Sequence, residues 1–153
     1  MTSRSYWTAV WCGFLVLTIG LGVRQSFGIF LKPVSAELHV GRELFSFGTA
    51  VSMLLMGAVA PFSGRLADRF GSAPTIAGGG VVYVLGMIVT AEMHGGAMLI
   101  LGNILVGIGL SAATFGPVLG VILRVAPPAK QALAVGICSA GGSFGQFFIV
   151  PLA

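Results

Sequence analysis

The run Gly64-Arg65-Leu66-Ala67-Asp68-Arg69-Phe70-Gly71-Ser72-Ala73-Pro74 places three charges between two long uncharged stretches. Upstream, Leu44 to Gly64 has no charge for 21 residues; downstream, Phe70 to Ala91 has none for 22. A helix crossing the hydrocarbon core needs about 20 apolar residues, because that core is roughly 30 Å thick and each residue rises about 1.5 Å. Backbone amides in lipid must bond within the structure, which leaves helices and closed barrels, and the alternation of barrel strands is absent. A charged turn between two spans therefore sets the fold class: this is a helical membrane protein.

The same spacing repeats outward. Ser5 to Val23 is uncharged for 19 residues, Met93 to Leu123 for 31, and Gln131 to Ala153 for 23. These stretches predict an all-α membrane protein of about five transmembrane helices, near 7–30, 45–62, 75–92, 97–123 and 131–152, in one domain over 1–153. Composition agrees, since only 8% of the 153 residues are charged and 56% are hydrophobic, against about 25% charged in soluble domains. A soluble enzyme is excluded. The isoelectric point near 9.7 rests on a net charge of +4, too little for a nucleic-acid face. Cys12 and Cys138 sit in apolar runs and imply neither a disulfide framework nor a zinc site. No acid pair, metal-ligand spacing or nucleophile with its base occurs, so no enzyme, metal or cofactor is expected.

Basic residues in the short loops orient the chain. With the amino terminus cytoplasmic, Arg4, Arg65, Arg69, Arg124 and Lys130 lie inside. Lys32 and Arg42 lie outside, where Glu37 and Glu43 offset them. The expected location is a plasma (bacterial inner) membrane. A cleaved signal peptide is the competing reading of the start, but the apolar run continues past Arg24 to Leu31, which favours a retained span. The last helix ends in Phe147-Phe148-Ile149-Val150-Pro151-Leu152-Ala153 without a polar flank, which predicts a chain cut short.

The Gly64–Pro74 stretch resembles the signature loop between helices two and three of the major facilitator superfamily, G-x-L-A-D-R-x-G-R-R. Ser72 and Ala73 replace the family's last two basic residues. Gly22-Val23-Arg24-Gln25-Ser26-Phe27-Gly28-Ile29-Phe30-Leu31-Lys32-Pro33 is similar to the first helix of its bacterial monocarboxylate and oxalate/formate-type members. So is Ala140-Gly141-Gly142-Ser143-Phe144-Gly145-Gln146 in the fifth span. The resemblance implies a partial N-terminal six-helix bundle whose C-terminal bundle is missing. It also implies secondary transport of small organic anions by alternating access, within the lipid bilayer. In the fourth span, Ile104 to Gly109 lacks the Arg and Gln of proton-driven members, and the fifth lacks a Gly-Pro signature. Both absences lean away from multidrug export. The reading from another class is a non-transporting five-helix subunit or assembly partner.

Individual residues carry further expectations. An arginine inside a span costs at least ~2.5 kcal/mol to insert, so Arg24 is expected to face a cavity and hold a carboxylate. Snorkelling to the outer headgroups and a structural pair are the alternatives. Gln25, about 100° around the helix, cannot share that cavity equally. Asn103 and Gln146 are expected to contact substrate, with interhelical bonding as the alternative. Gly64, Asp68, Arg69 and Gly71 are expected to form a conformational latch at the inner face. Gly64 would allow close helix approach, Asp68 and Arg69 would supply a charge pair, and Gly71 a tight turn before Pro74. A merely hydrated turn is the alternative. Gly102, Gly109, Gly116 and Gly120, with Gly141 and Gly145, are expected to form close-packing faces.

Overall fold

A computed structural model of the chain describes residues 3–26 and 42–149. Its helices are α1 (Ser3–Ser26), α2 (Arg42–Phe70), α3 (Ser72–Ala91), α4 (Gly96–Ala113), α5 (Phe115–Val125) and α6 (Gln131–Ile149), with a 3₁₀ turn at Pro128–Lys130 before α6. Among the described residues, four spans are long and apolar enough to cross a membrane: Tyr6–Ser26, Glu43–Phe70, Ser72–Ala91 and Gly96–Val125, the last combining α4 and α5. The fifth expected span is present as α6, with 19 residues and therefore about 28 Å of rise. It is not among those four. The parts of the first and last expected spans at 27–30 and 150–152 lie outside the described residues, as do Lys32, Glu37 and His39.

Two boundaries depart from expectation. The Gly64–Phe70 segment is not a loop: α2 runs through it for 29 residues in all. Leu66, Ala67 and the arginines favour helix, and Gly64 alone does not stop it. At about 43 Å, α2 exceeds the hydrocarbon thickness, so its charged end projects to headgroup level. The expected fourth helix, 97–123, breaks at Thr114 (φ −114°, ψ −125°) into α4 and α5. Pro117 has no N–H to give Ala113, and its ring crowds that carbonyl. Around the break, Thr114 N–H still donates to Leu110 O at 2.9 Å and Val118 N–H to Thr114 O at 3.1 Å.

Only Gly71 separates α2 from α3, at φ +97° and ψ 151°. Glycine alone occupies this region without strain of about 1–3 kcal/mol. Thr75 Oγ1 donates to Gly71 O at 2.8 Å and Gly71 N–H to Ala67 O at 3.0 Å, which fixes the turn. Gly71→Ala is expected to lower unfolding free energy by about 1–3 kcal/mol in denaturation of the detergent-purified protein. An unchanged midpoint would contradict that geometry.

The helices pack chiefly as α3 on α4, α1 on α6 and α2 on α4, and α5 returns against α1. One core cluster joins α1, α5 and α6 through Val10, Leu17, Val118, Ile122, Ala134 and Cys138; a second joins α3 and α4 through Tyr83, Val106 and Leu110. Without a hydrophobic drive between helices in lipid, close backbone approach supplies much of the attraction. Gly109 lies against the backbone of Tyr83, Gly102 against Thr90, and Gly141 and Gly145 against Phe14 and Thr18 of α1. Gly116 and Gly120 do not belong to this set. Among the described residues, only Ala60 O, 3.9 Å away, approaches a Cβ placed on the first, and nothing lies within 4 Å of one placed on the second. The outer surface stays apolar, with Leu54 72% and Phe147 74% exposed. Water would not tolerate such a surface on a small domain, but lipid does.

Candidate functional site

Near the end of α1, two helices present polar side chains to a common hollow. On α2, Phe45, Thr49, Ser52 and Met53 fall at helical spacing along one face, and Asn103 and Val106 of α4 lie opposite. Together with Arg24 and Gln25 they line a cavity of ≈ 210 Å³. Three of the four residues expected to contact substrate (Arg24, Gln25 and Asn103) thus meet in one place. The fourth does not: Gln146 is exposed on α6 and absent from the lining. Gln25 shares the cavity despite its angular offset, as an exposed side chain at the rim beside the half-buried Arg24.

The hydrogen-bond inventory gives this cavity its character. Asn103 Nδ2 donates to Leu99 O at 2.9 Å and Thr49 Oγ1 to Phe45 O at 3.0 Å, each within its own helix. At this cavity two buried polar atoms lack a hydrogen-bond partner among the described residues: Arg24 Nη2 and Ser52 Oγ. Both are donors. A buried donor left unmade costs about 1–3 kcal/mol, and an acceptor-only group such as a carboxylate suits donors of this kind. Ser52 was not singled out in the sequence. Its signal is faint, a Thr49–Ser52 pair at helical spacing in an otherwise apolar run, and most such hydroxyls bond their own helix.

At the other end of α2 the expected latch has a different partner. Asp68 forms its ion pair with Arg124 of α5, not with Arg69, tying together two helix ends 56 positions apart in the chain. Arg69 instead lies over the Phe70 ring, 5.4 Å from its centroid. Gly71 makes the turn, as expected. Gly64 makes no close approach among the described residues, where nothing lies within 4 Å of the place its Cβ would occupy.

The Major Facilitator Superfamily family profile matches residues 10–153. The chain belongs to the major facilitator superfamily. The resemblance read from Gly64–Pro74 therefore extends over nearly the whole sequence. Monocarboxylate transporter 11 of Mus musculus is 26% identical over 146 residues, covering 95% of this chain and 32% of that protein. Monocarboxylate transporter 13 of Bos taurus is 26% identical over 147 residues, covering 95% of this chain and 34% of its own length. Multidrug resistance protein MdtL of Klebsiella pneumoniae (strain 342) is 32% identical over 79 residues, covering 52% of this chain and 18% of that protein. The chain thus spans about a third of the length of the monocarboxylate transporters it resembles. No solved structure gives a significant match. As a major facilitator chain it is a multi-pass membrane protein of a transporter family, and its relatives' names divide between carboxylates and drugs.

Proposed function

We propose that this chain forms the amino-terminal bundle of a secondary active transporter for small organic anions such as monocarboxylates, working by alternating access in a bacterial inner membrane with its amino terminus in the cytoplasm. The single observation behind this reading is the pair of unpartnered donors, Arg24 Nη2 and Ser52 Oγ, at one small cavity. Arg24 supplies the charge for a carboxylate, Ser52 a second hydrogen bond, and Gln25 and Asn103 polar walls. Gln146, exposed on α6, has no role at this cavity. It is assigned instead to interhelical or partner contact. The Asp68–Arg124 pair, with Gly71 as its turn, serves as the inner-face latch, and Arg69 and Gly64 flank it. A rocking mechanism needs a second bundle to move against, so the C-terminal bundle is the partner this reading requires.

The test is uptake of labelled pyruvate into proteoliposomes by this bundle joined to its second half. Saturable uptake that small monocarboxylates compete, and lipophilic cations do not, is expected. Transport of lipophilic cations without carboxylate competition would overturn the assignment. The 153 residues alone are expected to give no uptake above empty vesicles; uptake by them alone would remove the need for a second bundle.

A further inference from the structure

Tyr83 of α3 is buried, and its hydroxyl donates to Gly20 O of α1 at 3.3 Å. A buried phenol ordinarily finds a partner, but this one reaches a helix with which α3 makes no close backbone contact among the described residues. Two glycines make the reach possible. A Cβ on Gly109 would collide with the Tyr83 backbone, so α3 lies directly on α4. A Cβ on Gly20 would sit 3.3 Å from Thr114 Cγ2, so α1 lies close against the end of α4. One tyrosine side chain spans the distance that remains.

The acceptor decides what this bond does. In a regular helix the carbonyl of residue 20 takes the amide of residue 24, so Gly20 O serves both the Tyr83 hydroxyl and the Arg24 backbone. The interhelical bonds that tie α1 to α6, Thr18 Oγ1 to Gly141 O and Cys138 Sγ to Val10 O, lie farther from Arg24 along the chain. The Tyr83 ring packs in one cluster with Val106, and partly buried Val23 joins them. Val106 lines the Arg24 cavity and Tyr83 does not. Arginine has more rotamer freedom to lose than most side chains, so a site fixes one through the residues that support it from behind. We propose that Tyr83 is a positioning residue: its bond to Gly20 O holds the turn of α1 that carries Arg24, and so sets where the guanidinium enters the cavity. The effect on cargo affinity rests on the carboxylate reading of Arg24; the tether itself does not.

Tyr83→Phe keeps the ring and removes the hydroxyl, and two measurements on the full transporter in one detergent test it. The first needs no cargo. Amide hydrogen exchange, read by mass spectrometry, should quicken roughly two- to tenfold over residues 22–25, the range set by one neutral hydrogen bond. A reference peptide from α6 should exchange as in wild type. The second is the pyruvate dissociation constant. Affinity falls with the fraction of molecules that hold Arg24 in place, so Tyr83→Phe should weaken binding by roughly two- to tenfold. Added to Arg24→Ala, the same change should have no further effect, because Tyr83 acts through Arg24. Unchanged exchange at residues 22–25, or an equal rise in α6, would overturn the proposal. So would wild-type affinity in Tyr83→Phe where Arg24→Ala weakens binding, or an equal loss from Tyr83→Phe with and without Arg24. Faster exchange at residues 22–25 alone, with wild-type affinity in Arg24→Ala, would uphold the tether and contradict only the carboxylate reading.

Discussion

Gly145→Val is expected to separate α1 from α6 and to lower stability by about 3 kcal/mol, the upper part of the range for overpacking. A Cβ at Gly145 would collide with the Thr18 carbonyl oxygen and lie 2.7 Å from its carbonyl carbon. These are backbone atoms of the facing helix, so no rotamer change relieves the clash. The same contact carries Thr18 Oγ1 donating to Gly141 O at 2.9 Å, an interhelical bond that any shift would break. Gly136→Ala is the matched control on the same helix, with nothing within 4 Å of its Cβ position; it is expected within about 0.5 kcal/mol of wild type. Denaturation of the purified protein in mixed detergent reads both. A Gly145→Val midpoint equal to that of Gly136→Ala would mean that α1 and α6 do not meet at this register.

Charge spacing made the spans legible, because the bilayer demands apolar runs of fixed length and charged residues mark their ends. It did not show where helices stop. Helix propensity carried α2 through Arg65–Phe70 to Gly71, and Pro117 divided the fourth span, neither of which depends on charge. Glycines were visible as a packing device, yet which ones touch depends on helix phase. Gly109 and Gly145 meet neighbouring backbone; Gly120 faces open space. The candidate site followed the same rule. Arg24 and Asn103 stood out as polar residues in apolar helices, and they do share a cavity. Gln146 stood out equally and faces elsewhere. Ser52 lay hidden because an isolated serine is ordinary in a span. The partner of Asp68, an arginine 56 positions away, left no mark on the local motif.

Loss of the Arg24 guanidinium is expected to weaken carboxylate binding by roughly ten- to hundredfold, the equivalent of a charge-assisted hydrogen bond worth about 1.5–3 kcal/mol. Arg24 is half-buried two residues from the end of described α1, with Nη2 unpartnered among the described residues at the cavity that Ser52, Asn103 and Gln25 also line. A lysine there keeps the charge but loses the planar fork that meets both carboxylate oxygens. Arg24→Lys should therefore fall between wild type and Arg24→Ala. Snorkelling to the outer headgroups makes a different forecast, because lysine snorkels as readily as arginine and both variants would then bind as wild type does. The measurement is the pyruvate dissociation constant of wild type, Arg24→Lys and Arg24→Ala, each purified in the same detergent as the full transporter at matched folded fraction. The account predicts affinity falling in that order, by at least tenfold for alanine; wild-type affinity in Arg24→Ala would contradict it and leave Arg24 as an interfacial anchor.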